Sequence, residues 1–469
     1  ASDEAQLLRE LSGLGPEFAP ALFALDLIVI WKKKRKVIRY RDRAVALFRR
    51  SFDRGGRVFF IGAGTSYHAA LCAGYFFNNL TTLGIVPCNP DLFRSVHMNS
   101  LRPGDVLVAI TQSGETKDLV DILNAVRERF RDKVDVIAVV NNENSTIPQE
   151  KADFFLPLLC GPEIAVAATK SFSAQLALFY LLACSLGRGG PLPRQALEEA
   201  RQLIDHTLRT CEEDVTEVML KFFLKPSIHI LGTSLIGLAR EGALKIREVV
   251  LNHAEGYDAA EFKHGPNTIL GRSTLYSFMD MEDLLADMAE FGRDLLAGGG
   301  GQAEAAFLQR VRDLRFADLG AGTAGRGRRR GADLPQRFRA RVNAGKYFSN
   351  YPLIFLCPPV ERDVRITISQ IHTHKIRGAD VVLIAEENAE LAKAVEGRPA
   401  GLESYFCKYV KVPASGDPNL FVFAAAVVLQ RLALKMSVAK MKYLNRAHVE
   451  NHGVHPDVPK NVSKSITVD

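Results

Sequence analysis

The chain has 469 residues, 47% of them hydrophobic, and a formal net charge of +7. At about 150 residues per domain, this length allows two or three domains, each with a core of its own. No uninterrupted run of about 18 apolar residues occurs. The nearest candidate, ALFALDLIVIW at 21–31, is short and carries Asp26, which argues against a membrane span. No cleavable signal pattern is visible, and the start at Ala1 rather than Met leaves room for sequence upstream.

Seven cysteines are scattered at 72, 88, 160, 184, 211, 357 and 407, with no C-x-x-C pair. That usage suits reduced core thiols in a cytoplasmic protein and argues against a disulfide framework or a zinc ribbon. The positive charge is local. Lys32, Lys33, Lys34, Arg35 and Lys36 form one basic run, and residues 326–341 hold seven arginines against one acid, Asp333. Both read as solvated segments, so no nucleic-acid or membrane partner is expected.

In chain order, RVFFIGAGTSYHAALCAGYFFNNLTTL (57–83) reads as a strand, Gly-rich punctuation and a helix. Its GAGTSY loop lacks the third glycine of a dinucleotide fingerprint, because position 67 is Tyr, so no nucleotide cofactor is expected. The strand DVLVAI (105–110) runs into TQSGET. There Thr111, Gln112, Ser113, Gly114 and Thr116 stand between a strand and a helix starting near Thr116. Three hydroxyls, a glycine and a helix N-terminus form a cradle for a phosphate monoester without Mg²⁺, and one capping residue alone would need fewer polar groups. DVIAVV (135–140) and FFLPLL (154–159) are further strands, and 170–187 is a long apolar helix. LGRGGPLPRQ (186–195) reads as a linker.

The pattern then repeats. SIHILGTSLIGLAREGALKI (227–246) again joins a strand to a helix, with the two Gly-Thr-Ser triplets (64–66 and 232–234) offset by 168. PLIFLC (352–357), DVVLIA (380–385) and YVKVPA (409–414) echo the strands of the first half, and a second apolar helix covers 420–436. Strands alternating with helices imply parallel sheets covered on both faces. The expected organisation is a first α/β domain over 1–190, a second over 191–436 with an insertion at about 271–350, and a polar tail over 437–469. The second domain's counterpart of the cradle, CPPVERDV (357–364), has no hydroxyl, so phosphate binding is expected in the first domain only.

EGALKIREVVLNHAE (241–255) reads as an amphipathic helix of the second domain. Glu241, Lys245 and Glu248 lie on one side, and Leu244 and Leu251 lie beside Glu248. Two readings stay open from spacing: a Glu241–Lys245 surface pair with a solvated Glu248, or an acid–base glutamate whose pKa is raised by apolar neighbours. His264, before Gly265 and Pro266, reads equally as a helix cap. Metal binding is not expected at IHTH (371–374), whose histidines point apart on a helix. It is little better at His448, His452 and His455, which lack a carboxylate at matching spacing.

Five motifs, GTSYHAAL, TQSGET, GPEIAVAATKSF, EGALKIREVVLNHAEGYDAAEFKHGP and DVPKNVSKSITVD, together resemble, in that order, the isomerase half of glucosamine-6-phosphate synthases. The resemblance covers about 50–270 and 350–469. It implies two flavodoxin-like, doubly wound parallel-sheet SIS domains in tandem, in a homodimer. The implied reaction takes fructose 6-phosphate and ammonia to glucosamine 6-phosphate. It also implies that Gly64, Thr65, Ser66, Thr111, Gln112, Ser113 and Thr116 hold the phosphorylated hexose, with Val166 and Ala168 beside the sugar. By the same match, Glu248 moves a proton between C1 and C2 with Lys245 beside it. His264 assists ring opening from the neighbouring subunit, and Lys464 forms the imine. Thr111 and Ala168 stand where the family usually has serines. The family's N-terminal glutaminase is expected to be missing, since too few residues precede 50, which points to free ammonia or a separate ammonia source. Reverse running as a deaminase, a non-catalytic phosphosugar sensor, and a fragment of the complete synthase are the competing expectations.

Overall fold

The computed structural model describes residues 34–187, 193–270, 350–399 and 405–457. The apolar run at 21–31, Lys32 and Lys33, the Gly/Pro stretch 188–192, the insertion up to residue 349 and the chain from 458 onward, with Lys464, lie outside the described residues.

After helix α1 (Lys34–Asp53) come β1 (Val58–Gly62), α2 (Thr65–Leu80), β2 (Ile85–Cys88), β3 (Val106–Thr111), α3 (Lys117–Phe130), β4 (Asp135–Val140), β5 (Phe154–Pro157) and α4 (Lys170–Leu186). Helices α5 (Pro193–Thr210) and α6 (Glu212–Phe222) lead into β6 (Ser227–Gly232), α7 (Ile236–Val249) and β7 (His253–Asp258). The remaining elements are β8 (Tyr351–Cys357), α8 (Glu361–Ile376), β9 (Ala379–Glu386), α9 (Ala389–Glu396), β10 (Cys407–Val412) and α10 (Pro418–Arg446).

The strands form two sheets, ordered β2-β1-β3-β4-β5 and β10-β9-β8-β6-β7, and every pairing is parallel. Read from its far edge, the second order is the first repeated, with β6 for β1 and β7 for β2. This is the flavodoxin-like doubly wound order, built twice as the strand echoes indicated. The central strands are buried along their length because helices cover both faces. Alternation sends Phe59, Ile61, Leu107 and Ala109 toward α3, and Val58, Phe60, Val108 and Ile110 into a cluster that both halves share.

That shared cluster joins the two sheets through a central helical layer. Phe76 of α2, Tyr180 of α4 and Phe423 of α10 meet with ring centroids 5.3, 5.9 and 5.6 Å apart. Each fully buried side chain of this size contributes about 1.5–3 kcal/mol. Helix α10 has the length and composition of a membrane-crossing segment, yet 83% of its most apolar window is buried inside the protein. Its hydropathy is that of a core helix shared by two domains.

Four expectations need correction. The polar tail foreseen from 437 begins after Arg446, because α10 runs on through Ser437 and Lys440, which both bond to the end of α7. The helix foreseen to residue 255 stops at Val249. Leu251 then takes φ 57, Asn252 donates to the carbonyls of Phe223 and Lys225, and β7 begins at His253. The Gly-Thr-Ser triplets are not equivalent, since Gly232 ends β6 whereas Gly64 caps α2 and it is Gly62 that ends β1. Strands β2 and β7 were not foreseen at all. Both lie at sheet edges and are half-buried; β2 has only four residues, IVPC, with a proline among them, and β7, HAEGYD, lacks an apolar run.

Asp380 at the start of β9 offers a stability test. It is buried and accepts hydrogen bonds from Asn350 Nδ2 and Phe406 N, each 2.9 Å. Burial pushes its carboxyl up to about 6, the two donors opposing. The folded state thus binds its proton more tightly than the unfolded chain, so stability falls as pH rises from about 4 to about 6. Asp380→Asn is expected to raise Tm at pH 7.5, and the gain should vanish below pH 4. An equal gain at both pH values would contradict this account.

Candidate active site

Strands β1 and β3 are neighbours, but the chain leaves them in opposite directions, to β2 and to β4. The loops that follow them therefore flank a crevice at the carboxyl end of the first sheet, where ligands enter such folds. After β1, Gly64 (φ 53) caps α2, and Thr65 and Ser66 open it. Ser66 is buried and accepts from Gln175 Nε2 of α4 at 3.1 Å.

After β3, the hydroxyls of Thr111 and Thr116 meet at 2.8 Å, and Gly114 N–H donates to Thr111 Oγ1 at 3.2 Å. Glu115 N–H donates to Ser113 Oγ at 3.2 Å, and the Gln112 carbonyl accepts from Asn141 N–H at 3.2 Å. Thr116 occupies the N-cap position of α3 but makes no side-chain cap bond. The loop's hydroxyls thus serve one another rather than the helix. Gly114 is required twice over: its φ is +75, and a Cβ there would lie 1.7 Å from Ser145 Oγ.

The second domain reaches this crevice through α7. Gly237 lets α7 touch α2, since a Cβ there would lie 2.7 Å from Leu71 Cβ and 2.8 Å from the His68 carbonyl. One turn on, Glu241 accepts from Thr65 Oγ1 at 3.1 Å and pairs with His68 Nδ1 at 2.8 Å. Lys245 Nζ lies 3.3 Å from Glu241, 3.2 Å from Thr65 Oγ1 and 2.6 Å from Glu248 Oε2. Glu241 and Lys245 are each 2% exposed, which rules out a surface pair.

Burial opposes the charge on Glu241, but Lys245 and His68 outweigh it and hold the carboxyl below its ordinary value. Burial likewise opposes the charge on Lys245, and Glu241 and Glu248 outweigh it and raise its pKa. At Glu248 burial wins over Lys245, and the pKa rises. Three interacting groups with divergent shifts at a crevice make it the candidate functional site. The apolar surroundings are not those foreseen. Leu244 is half-buried, whereas Leu251 lies beyond the helix end and is 50% exposed.

Val166 and Ala168, both half-buried, lie in the loop between β5 and α4. Glu163 in that loop accepts from the backbone of Thr169 and Lys170 at 2.8 and 3.1 Å and from the Ser171 hydroxyl. His264 is exposed on the turn after the short helix Ala259–Phe262, and no described hydrogen bond or ion pair joins it to Glu248 within one chain. His448, His452 and His455 lie beyond α10, so helical i, i+4 geometry does not apply. His452 bonds Asn445 Oδ1 and Val454 N–H instead. In the second sheet the matching crevice is stitched shut: Thr233 pairs with Thr367 at 2.8 Å, and Ser234 donates to Asp363 at 3.1 Å. Sequence reasoning did not single out His68 or Glu163. His68 could have been found from its i+3 spacing to Thr65 at the helix start.

Residues 52–185 match the SIS domain family. The first unit is a SIS domain. The second repeats its strand order, as the motifs' resemblance implied. Curated relatives called glutamine–fructose-6-phosphate aminotransferase (isomerizing) include those of Sulfurisphaera tokodaii and Aquifex aeolicus. Each is 37% identical over 215 residues, which is 46% of this chain and 35% of the relative. The chain thus spans about a third of the length of the curated relatives it matches. Among solved structures, the C-terminal domain of glucosamine-fructose-6-phosphate aminotransferase from Francisella tularensis is similar at TM-score 0.56 and 20% identity, over 84% of this chain and 88% of that one. A tagatose-6-phosphate ketose/aldose isomerase from Escherichia coli is similar at TM-score 0.60 and 15% identity, over 94% and 93%. At such identities these likenesses speak for the fold alone, two parallel five-stranded sheets in tandem.

Gly114→Ala is expected to destabilise the protein by about 2 kcal/mol or more, through backbone strain and overpacking. Urea unfolding reads the loss. Adding Ser145→Gly should recover part of it, and no recovery would mean that strain alone is responsible.

Proposed function

We propose that the chain is a phosphosugar aldose–ketose isomerase that handles an amino group, converting fructose 6-phosphate and ammonia to glucosamine 6-phosphate. The observation that carries this reading is Glu248: a carboxylate with raised pKa, 2.6 Å from a buried lysine, on a helix that meets the hydroxyl-lined crevice of the other domain. The names of the curated relatives support the choice of reaction.

In this reading Gly64, Thr65, Ser66, Thr111, Gln112, Ser113 and Thr116 hold the sugar phosphate through hydroxyls, backbone N–H groups and the α3 N-terminus. Val166 and Ala168 line the sugar. The C2 ketone forms an imine with Lys464 with loss of water, and ammonia then displaces the lysine amine to leave an imine of ammonia at C2. Glu248 takes a proton from C1 and returns it to C2 while the O1 hydroxyl proton passes to the nitrogen, leaving an aldehyde at C1 and an amine at C2. A base with a pKa raised toward neutrality suits both halves of that transfer. The Lys245 ammonium offsets the negative charge that develops on the enolamine. His264, exposed within one chain, would reach the sugar from a second copy in a homodimer, and Lys464 would hold the ketose as an imine before transfer. A phosphosugar sensor would need the cradle but not the buried Glu241–Lys245–Glu248 cluster, so the cluster favours catalysis.

The test is to incubate the protein with fructose 6-phosphate plus ammonium, with fructose 6-phosphate plus glutamine, and with glucosamine 6-phosphate alone, assaying each product. Binding without turnover in every mixture would sink the enzymatic reading. Glu248→Gln is expected to lower kcat by roughly 10²–10⁴ while sparing substrate affinity. In the wild type the acid limb of kcat/KM should lie above the range of an ordinary glutamate, because Glu248 must lose its proton to act.

A further inference from the structure

We propose that His68 is a positioning residue that fixes Glu241 from the first domain and, through it, divides Lys245 between Glu241 and Glu248. The catalytic meaning of this arrangement rests on the function proposed above, while the arrangement itself does not.

His68 stands one turn into α2, on the face that carries Thr65 and meets α7. Its side chain is 10% exposed, and Nδ1 lies 2.8 Å from Glu241 Oε2. Glu241 is held ionised, so it only accepts, and the hydrogen in this bond sits on His68 Nδ1. The two oxygens of Glu241 are thereby divided. Oε2 is held by His68, and Oε1 is held by Thr65 and Lys245. Thr65 Oγ1 donates to Glu241 and accepts from Lys245, so its one hydrogen is committed to Glu241.

The groups that face Glu241 and Glu248 are Thr65, His68 and Cys72 from α2, and Lys245 from α7 itself. Burial pushes the Cys72 thiol up, with Glu241 adding to the effect, so it stays neutral. Lys245 and His68 are then the charge-stabilising partners. Removing the His68 donor leaves Oε2 buried and unbonded, a costly state for a carboxylate. The remedy within reach is Lys245, which would turn toward Glu241 and away from Glu248. Glu248 would keep its burial and lose its cation, and so hold its proton more tightly.

Three variants separate this from a packing role. Asn places its amide nitrogen where His68 Nδ1 stands. Gln places it where Nε2 stands. Leu removes the donor altogether. The Glu248 titration midpoint is followed by 13C NMR of the glutamate carboxylates, assigned by its disappearance in Glu248→Gln. Expected is a midpoint raised by about 1 pH unit in His68→Leu and His68→Gln, and held near wild type in His68→Asn. In turnover assays the acid limb of kcat/KM should move by the same amount, with KM little changed. A wild-type midpoint in folded His68→Leu, or in His68→Gln should the leucine variant not fold, overturns the proposal. So does an equal shift in all three variants, which would mark a packing role. The NMR reading needs no turnover. If the wild type proves inactive while the midpoint still shifts, the proposed reaction fails and the positioning role stands.

Discussion

The structure turns on a lysine buried between two carboxylates where two domains meet. Lys245 is 2% exposed and sits between Glu241 and Glu248, and the first domain supplies Thr65 and His68 to the same cluster. Burying such charges costs several kcal/mol per ion, and their mutual attraction about offsets the loss only if the geometry is held. The cluster therefore does not stabilise the interface. It has to be imposed by packing, and the surrounding aromatic and aliphatic helix faces do so. Phe76, Tyr180 and Phe423 lock α2, α4 and α10 together, and Gly237 brings α7 against α2.

Duplication explains why the charges lie there. Each domain presents the same central helices to the other, so the crevice of one is walled by a helix of its partner. The two crevices have diverged. In the first, the Thr111–Thr116 hydroxyl contact and a forced glycine fix the shape of the loop after β3. In the second, Thr233 bonds Thr367, and Ser234 donates to Asp363. One domain thus brings a hydroxyl-lined loop to the crevice, and the other brings the Glu241–Lys245–Glu248 cluster.

The end of α7 shows how far the local pattern reaches. From periodicity the helix continues to residue 255, and Leu251 packs beside Glu248. Instead, Asn252 bonds the carbonyls of Phe223 and Lys225, while Ser437 and Lys440 cap the carbonyls of Val249 and Val250. All of these partners are distant in sequence. The raised pKa of Glu248 survives without Leu251, because its burial comes from being enclosed between domains rather than from two leucines on one helix face.

Strand runs, the flavodoxin-like class, the duplication and the hydroxyl-bearing TQSGET turn were legible in the chain because each depends on neighbours along it: β-branched runs, glycine, and hydroxyls clustered at a turn. The spacing of Glu241, Lys245 and Glu248 was legible too, but not its meaning. A surface ion pair and a buried triad share one pattern, and only the close approach of α2 separates them. His68 stayed hidden for the same reason, since its partner lies 173 residues away. The edge strands β2, short and interrupted by Pro87, and β7, without an apolar run, show themselves in their pairing with β1 and β6. Sequence determined which ionisable and hydroxyl side chains stand at which spacing, and the tertiary structure decided their partners and charge states, because these depend on what is buried beside what.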